Sequence, residues 1–519
     1  MREASVVKDP GVPPGSFFDL AYRHEPADDY VRLKWSPSGK RRWVRPRGSR
    51  QASWLLQAYV VAMFVLPTDA AIQVIGAQGY AAALVAMLMF AAWLITALFG
   101  LHDPIHSRYP VRGALAFLWV ASLISYVAMP FFGPSPTQRL SADRWLMLLI
   151  AASGIILVAG EHLRAPRDIL RVVRAFVYGA AFSGFVAVLQ FFAHFDIKPY
   201  LRMVLIGFNS GGADISLTPR DALLRVSGTA NHPIEFGVTA AMVLPLAIWL
   251  GFFDRERSLV KRWAPAGLIG VCLALSVSRS AILTVLISIG LMVALLPARF
   301  RVWILGVAPF AAVGVMAVTP GYLKTMVSFT SMGGDDPSIT NRTNNYPRVA
   351  ALVSESPYFG HGGGTFLPAD ATKILDNQYL KTSIELGLVG VFALILYFLV
   401  PAISALIARA SHKDDAFRGL CAALAGGCLA AAVGCTAFDG FSFPQFTSAH
   451  ALMLGLCGAV WLYAQRARLS DSQVAGASPA GASSAGPAVI ETRILVPAGG
   501  PEIVGKPSNL SSLRKETSL

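Results

Sequence analysis

Charge is scarce in this chain. Of its 519 residues only 14% are Asp, Glu, Lys or Arg, against roughly 25% in soluble domains. That shortage excludes a soluble enzyme of ordinary composition. Cysteine is scarce too. Cys272, Cys421, Cys428, Cys435 and Cys457 all lie in apolar segments, which excludes a disulfide framework. Cys421, Cys428 and Cys435 repeat every seven residues among Ala and Gly. Metal or redox chemistry is one reading of that repeat. A stripe of small residues that lets helices approach closely is the preferred one. No Walker-type or dinucleotide-binding Gly motif occurs, and the basic loops are short, so no nucleotide-binding domain is expected. No cleavable signal peptide is expected either, because the first fifty residues are polar. The first span is expected to act as the targeting signal.

What the chain has is hydrophobic length. Runs of about 20 apolar residues, enough to cross a bilayer, recur from Ser53 to Tyr463. The expected fold is an all-α polytopic integral membrane protein with about twelve spans. They lie near 54–72, 79–100, 113–130, 143–160, 174–194, 233–252, 263–277, 280–297, 302–319, 380–404, 418–436 and 446–464. Lys and Arg crowd into alternate loops: the N-terminal tail, 108–112, 164–174, 254–262, 299–301, 409–418 and the tail from Arg466. The loops near 68–78, 131–142 and 437–445 hold almost none. The positive-inside rule then predicts both termini in the cytoplasm. Three regions follow: a basic cytoplasmic tail at 1–52, a membrane domain at 53–465 and a disordered cytoplasmic tail at 466–519. Two long loops, 195–232 and 320–379, are expected outside, the second between spans nine and ten. The formal charge of +14 is read as topology and not as a nucleic-acid footprint. A lipid-binding basic arm at Lys40–Arg47 is compatible with it.

Four polar clusters are predicted on the outer face. The first runs from Arg225 through Gly228, His232 and Glu235. The second is Ser278-Arg279-Ser280. The third is Asn344 to Arg348. The fourth is the Gly-rich stretch Tyr358–Phe366 followed by Asp376 and Asn377. A polar, Gly-rich segment in so apolar a chain has to lie outside the bilayer or line a cavity. Arg279 sits between two hydrophobic runs, where a charge is costly and often marks a substrate path. Snorkelling to headgroups is the alternative. Arg225, Arg279 and Arg348 together suit a diphosphate, because each guanidinium offers a planar fork to phosphate oxygens. Asp376 is the candidate base for a hydroxyl nucleophile, and a helix N-cap is its alternative role. Asn377 is expected to share the capping or to orient a sugar. His232 is a candidate donor to phosphate or sugar oxygen. Glu235 is a candidate brace for Arg225 or Arg279, or a member of a buried structural network. Glu385, inside the tenth predicted span, is read as structural and within pairing distance of Lys381. The glycines beside His361 are expected to permit a tight loop close to substrate. No cluster has metal-ligand spacing.

These motifs, in this order, resemble the bacterial O-antigen ligase and O-antigen polymerase superfamily over roughly residues 50–465. The features are Arg225-x-x-Gly228 followed by Pro233, Ser-Arg-Ser at 278–280, the stretch from Pro357 through Phe366, and Asp376-Asn-Gln-Tyr-Leu380 leading to Glu385–Gly390. The ligases carry His-Asn, nine residues, Gly, two residues, Gly. Asn377, Gly387 and Gly390 match in register, and Asp376 stands where the ligases have His. An aspartate there looks more like the polysaccharide polymerases. The resemblance implies a GT-C-like helical glycosyltransferase in the bacterial inner membrane, with its site on the periplasmic side and no metal or other cofactor. Its partners would be an undecaprenyl-diphosphate-linked glycan, an acceptor glycan, membrane lipid and other polysaccharide assembly proteins. Catalytic roles fall to Asp376, Arg279 and Arg225. Substrate binding falls to Arg348, His232, Glu235, His361, Asn377 and Tyr379. The expected function is polymerisation of exopolysaccharide or O-antigen repeat units. The alternatives are an O-antigen ligase acting on lipid A–core or protein, a lipid-linked glycan flippase, and a non-catalytic glycan-binding assembly subunit.

Overall fold

In a computed structural model, residues 16–22, 31–32, 43–44, 47–72, 75, 78–101, 107–210, 217–220, 223–318, 337–368, 370 and 373–476 are described. Residues 40–42 and 45–46 of the basic arm, residues 320–336 of the expected loop 320–379, and the tail beyond residue 476 lie outside them. Contacts divide the chain into Met1–Ser470 and Asp471–Leu519. The architecture is that of the first unit.

The helices are α1 Phe17–Tyr22, α2 Arg47–Val65, α3 Ala81–Leu98, α4 Pro110–Ala128, α5 Pro136–His162, α6 Pro166–Phe192, α7 Lys198–Met203 and α8 Pro233–Phe253. Then follow α9 Leu259–Leu275, α10 Arg279–Leu295, α11 Ala298–Val318, α12 Pro337–Glu355, α13 Gln378–Glu385, α14 Gly387–Ala410, α15 Asp415–Gly434 and α16 Pro444–Gly476. Short antiparallel pairs join β1 Val31–Arg32 to β2 Trp43–Val44, β3 Ala70–Ala71 to β4 Asn209–Ser210, and β5 Leu217–Arg220 to β6 Leu223–Val226. Proline opens α4, α5, α6, α8 and α16, where its missing N–H costs no helical bond.

The protein is an all-α polytopic membrane protein. Among the described residues, eight helices are long and apolar enough to cross a membrane: α3, α4 with its 3-10 extension to Phe132, α5, α6, α8, α14, α15 and α16. Each of the twelve predicted spans overlaps a helix. The other four are α2 and α10, apolar but shorter, with α9 and α11. The tenth predicted span, 380–404, is two helices. Gly387 at φ 66° breaks it, so Glu385 ends a short helix before the membrane segment begins.

Side-chain contacts sort the turns into two ends. At one end Asp254 pairs with Arg174, Arg299 with Asp415, and Trp249 Nε1 donates to the Ala416 carbonyl. Arg466 donates there to the Arg164 carbonyl. At the other end Thr68 bonds Asn231, Gln138 donates to the Thr365 carbonyl, and Asn377 donates to the Thr436 carbonyl. The Arg-rich turns gather at the first end, as the alternating charge predicts. Part of the expected N-terminal tail is docked there. Phe17 is fully buried among Trp249, Phe417 and Tyr463, and its N–H donates to Asp414 Oδ2.

The cysteine repeat lies along α15, most of which is buried. A side-chain carbon on Gly426 would meet the Ser288 carbonyl of α10 at 2.6 Å, and one on Gly427 the Met242 carbonyl of α8 at 2.7 Å. Small residues there let three helices touch backbone to backbone, and all five cysteines are free thiols.

Candidate functional site

The site forms at the end of the bundle opposite the Arg-rich turns. β6 delivers Arg225, and its Nε donates to the Ser276 carbonyl at 3.2 Å. That bond sets the guanidinium against the turn between α9 and α10, which carries Arg279 as the first residue of α10. Within the turn Val277 is buried at φ 43°. A β-branched residue in the left-handed region costs about 1–3 kcal/mol and persists only where its surroundings over-determine it. The surroundings here are α8. A side-chain carbon on Gly237 would sit 2.6 Å from Ser276 Oγ and 2.7 Å from Ala281 Cβ. Arg279 is half-buried.

The loop before α8 is clamped rather than free. Gln190 bonds both the N–H and the carbonyl of Gly228, which takes φ 57°. His232 caps α8, its Nδ1 accepting from the Ile234 N–H at 3.2 Å. Burial, then the Arg225 charge, pushes its pKa down to about 4, while Asp439 pulls the other way. The ring is therefore neutral, with Nδ1 engaged and Nε2 carrying the hydrogen. Glu235 does not brace an arginine. It is fully buried, and its oxygens accept from the Asn231, Gln445 and Phe446 amides. It clasps the first turns of α8 and α16 together and presents no surface to a substrate.

Helix α13 brings the fourth cluster to the same end. Its cap is Asn377, whose Oδ1 accepts from the Tyr379 and Leu380 amides. Asp376, immediately before it, is exposed, and Asn377 performs the capping considered for it. Tyr379 donates through its hydroxyl to the Ala432 carbonyl, which fixes α13 on the end of α15. Lys381 does not pair with Glu385. Its Nζ lies 2.7 Å from Ser442 Oγ and 3.4 Å from Asp439 Oδ2. Asp439 and Ser442 were missed by the sequence reading, which gave Lys381 to Glu385. The signal available was a carboxylate in the 437–445 loop, an otherwise apolar turn without Lys or Arg.

The Gly-rich stretch serves the helix break. Gly362 N–H donates to the Glu385 carbonyl, His361 N–H to the Ile384 carbonyl, and Leu388 N–H to the Pro357 carbonyl. These bonds satisfy the open end of α13 and the open start of α14. Backbone meets backbone so closely that a side-chain carbon on Gly360 would lie 2.4 Å from Glu385, and one on Gly387 2.3 Å from Tyr358. The glycines are required by this crossing. The His361 ring contacts the Ile384 carbonyl, Glu355 and Phe132, not the Arg225 group. Glu385 is buried, and its Oε1 accepts from the Phe366 amide at 3.3 Å. Burial raises its pKa against the pull of Lys381 and of the loop amides. Arg348 lies over the Phe366 ring at 5.6 Å.

This geometry gathers Arg225, Arg279, neutral His232, Lys381, Asp439 and Asn377 at one end. It leaves His361 and Glu235 in structural positions.

Residues 264–395 match the family model for O-antigen ligase. The match supports the O-antigen ligase and polymerase superfamily. The matched segment runs from α9 to the first turns of α14, so it holds Arg279, Arg348, Asp376, Asn377, Lys381 and Glu385. Arg225, His232 and Asp439 lie outside it. No curated protein matches the chain.

Proposed function

We propose that this protein is a membrane glycosyltransferase that polymerises undecaprenyl-diphosphate-linked repeat units into exopolysaccharide or O-antigen on the periplasmic face of the bacterial inner membrane. The observation that carries the reading is the meeting of Arg225 with the strained turn that bears Arg279, at the end away from the topogenic arginines. Guanidinium groups held there bind a diphosphate and stabilise the charge it acquires on leaving. The neutral His232 ring keeps Nε2–H as a donor to phosphate or sugar oxygen. The acceptor hydroxyl attacks the anomeric carbon of the donor sugar and the bond to the diphosphate oxygen breaks. The hydroxyl proton passes to the Asp376 carboxylate, and undecaprenyl diphosphate departs. Aspartate at 376, where the ligases carry histidine, favours polymerase over ligase.

The test is transfer by purified protein from a lipid-linked repeat unit. Arg279→Ala should lower transfer by at least about 10²-fold, the loss typical of removing a transition-state donor. Arg279→Lys should recover only part, since an ammonium keeps the charge without the fork. Full activity in the alanine variant would refute the diphosphate site. In a deletion strain, capped single repeat units mark a polymerase. Full-length polymer stranded on its carrier marks a ligase, and loss of every outward-facing intermediate marks a flippase.

A further inference from the structure

The stretch between α6 and the Arg225 hairpin is not an ordinary water-facing loop. In α7, Tyr200 and Met203 are 55% and 75% exposed, and Val204 and Ile206 beyond it are 72% and 94% exposed. Tyr200, Met203 and Val204 stand at i, i+3 and i+4, so they share one helical face. The opposite face is fastened to the protein. Lys198 is buried, its Nζ donating to Ser227 Oγ and the Ala230 carbonyl. Arg202 pairs with Asp69.

Both ends of the stretch are tied at the height of spanning-helix ends. Asp196 Oδ1 accepts from Gln190 Nε2, in the last turn of α6. Asn209–Ser210 pairs with Ala70–Ala71, a few residues beyond the end of α2. A segment tethered at both ends close to helix ends is placed to run across the end of the bundle rather than along it. Its apolar face also continues the exposed Phe192 and Phe195 at the end of the spanning helix α6.

We infer that Lys198–Phe208 lies in the headgroup–acyl boundary of the bilayer, with Tyr200, Met203, Val204 and Ile206 immersed among lipid chains. An apolar face opposed by a fastened polar one is the pattern of an interfacial element. The chain runs from it into the β5–β6 hairpin, so the face lies on the approach that a lipid-borne substrate takes to Arg225. The assignment of the face to lipid stands independently of the reaction proposed above.

The test uses the full-length protein in nanodiscs of phosphatidylethanolamine and phosphatidylglycerol. Val204→Cys and Ile206→Cys carry a nitroxide label, and the protein without an added cysteine is the background, since its five thiols are buried. Lys373→Cys, at a half-exposed lysine, is the water-facing reference. Collisions with oxygen should exceed those with a water-soluble nickel chelate several-fold at positions 204 and 206, with the ratio reversed at 373. A ratio at 204 and 206 equal to that at 373 would make the stretch a water-facing loop and overturn the inference. Protection from both reagents would overturn it too. With a dimeric particle mass it would assign the face to a second copy, and with a monomeric mass to the protein's own fold.

Discussion

Asp376 and Asn377 stand side by side at the start of α13, and the structure divides two jobs between them. Asn377 takes the capping bonds, so Asn377→Ala should cost about 1 kcal/mol of stability, seen as a lower melting temperature. Asp376→Asn should still accumulate and insert, and should cut transfer by about 10²–10⁴-fold, the range general-base catalysis supplies. An Asn variant with full activity would end the assignment and turn attention to Asp439. His232 makes a second residue-scale prediction. Its folded pKa, about 4, lies below the ordinary value near 6.5. As pH falls through 6.5 the unfolded chain takes up a proton that the folded ring refuses. Stability is therefore full above about pH 6.5, falls by up to about 3 kcal/mol towards pH 4, and levels below it. His232→Gln should flatten that slope in melting curves, and transfer should show no ionisation near pH 6.5. The arginines were legible because a guanidinium between apolar runs stands out in sequence. The buried network of Glu235 was one of its two readings, but its long-range partners and those of Lys381 were not legible. Their partners, Gln445, Phe446, Asp439 and Ser442, are distant in sequence, and only the packing of α8 and α13 against the loop before α16 brings them together.

At the scale of elements, the informative structure is the broken helix between Gln378 and Ala410. Hydropathy alone reads one span from residue 380. The break needs Gly387 at φ 66° and the crossing of Pro357–Gly362 over it. Neither follows from local pattern, although the glycines that make it possible are the plainest motif in the chain. Gly387→Ala faces both a left-handed backbone and a contact of 2.3 Å. It should lose upward of about 2 kcal/mol, since the conformation alone costs about 1–2. Gly267→Ala in α9 makes the contrast. A side-chain carbon there meets nothing within 4 Å, and helix propensity favours the change by up to about 1 kcal/mol. Melting in detergent should drop for the first and hold or rise for the second. Equal effects would mean that the crossing does not hold the break together.

For the molecule as a whole, the distribution of charge between the two ends was the most legible property. Each Arg-rich loop contributes to it independently, so errors at single boundaries cancel. The contacts reach the same division by another route. Arg174 with Asp254 and Arg299 with Asp415 meet at one end, while Arg225 with Ser276 and Asn377 with Thr436 meet at the other. The docked Phe17 was not legible, because a phenylalanine pair in a polar tail has no periodicity to betray its burial. The positive-inside rule predicts that the Arg-rich end faces the cytoplasm. Ser258→Cys, in an exposed turn at that end, should react with a membrane-impermeant thiol reagent only after the inner membrane is breached. Lys373→Cys, at the site end, should react in intact spheroplasts. The buried native thiols supply a silent background. The reverse pattern would put Arg225, Arg279 and Asp376 in the cytoplasm, where a periplasmic polymerase could not use them. The proposed function would then fall with the topology, even if every contact at the site were correct.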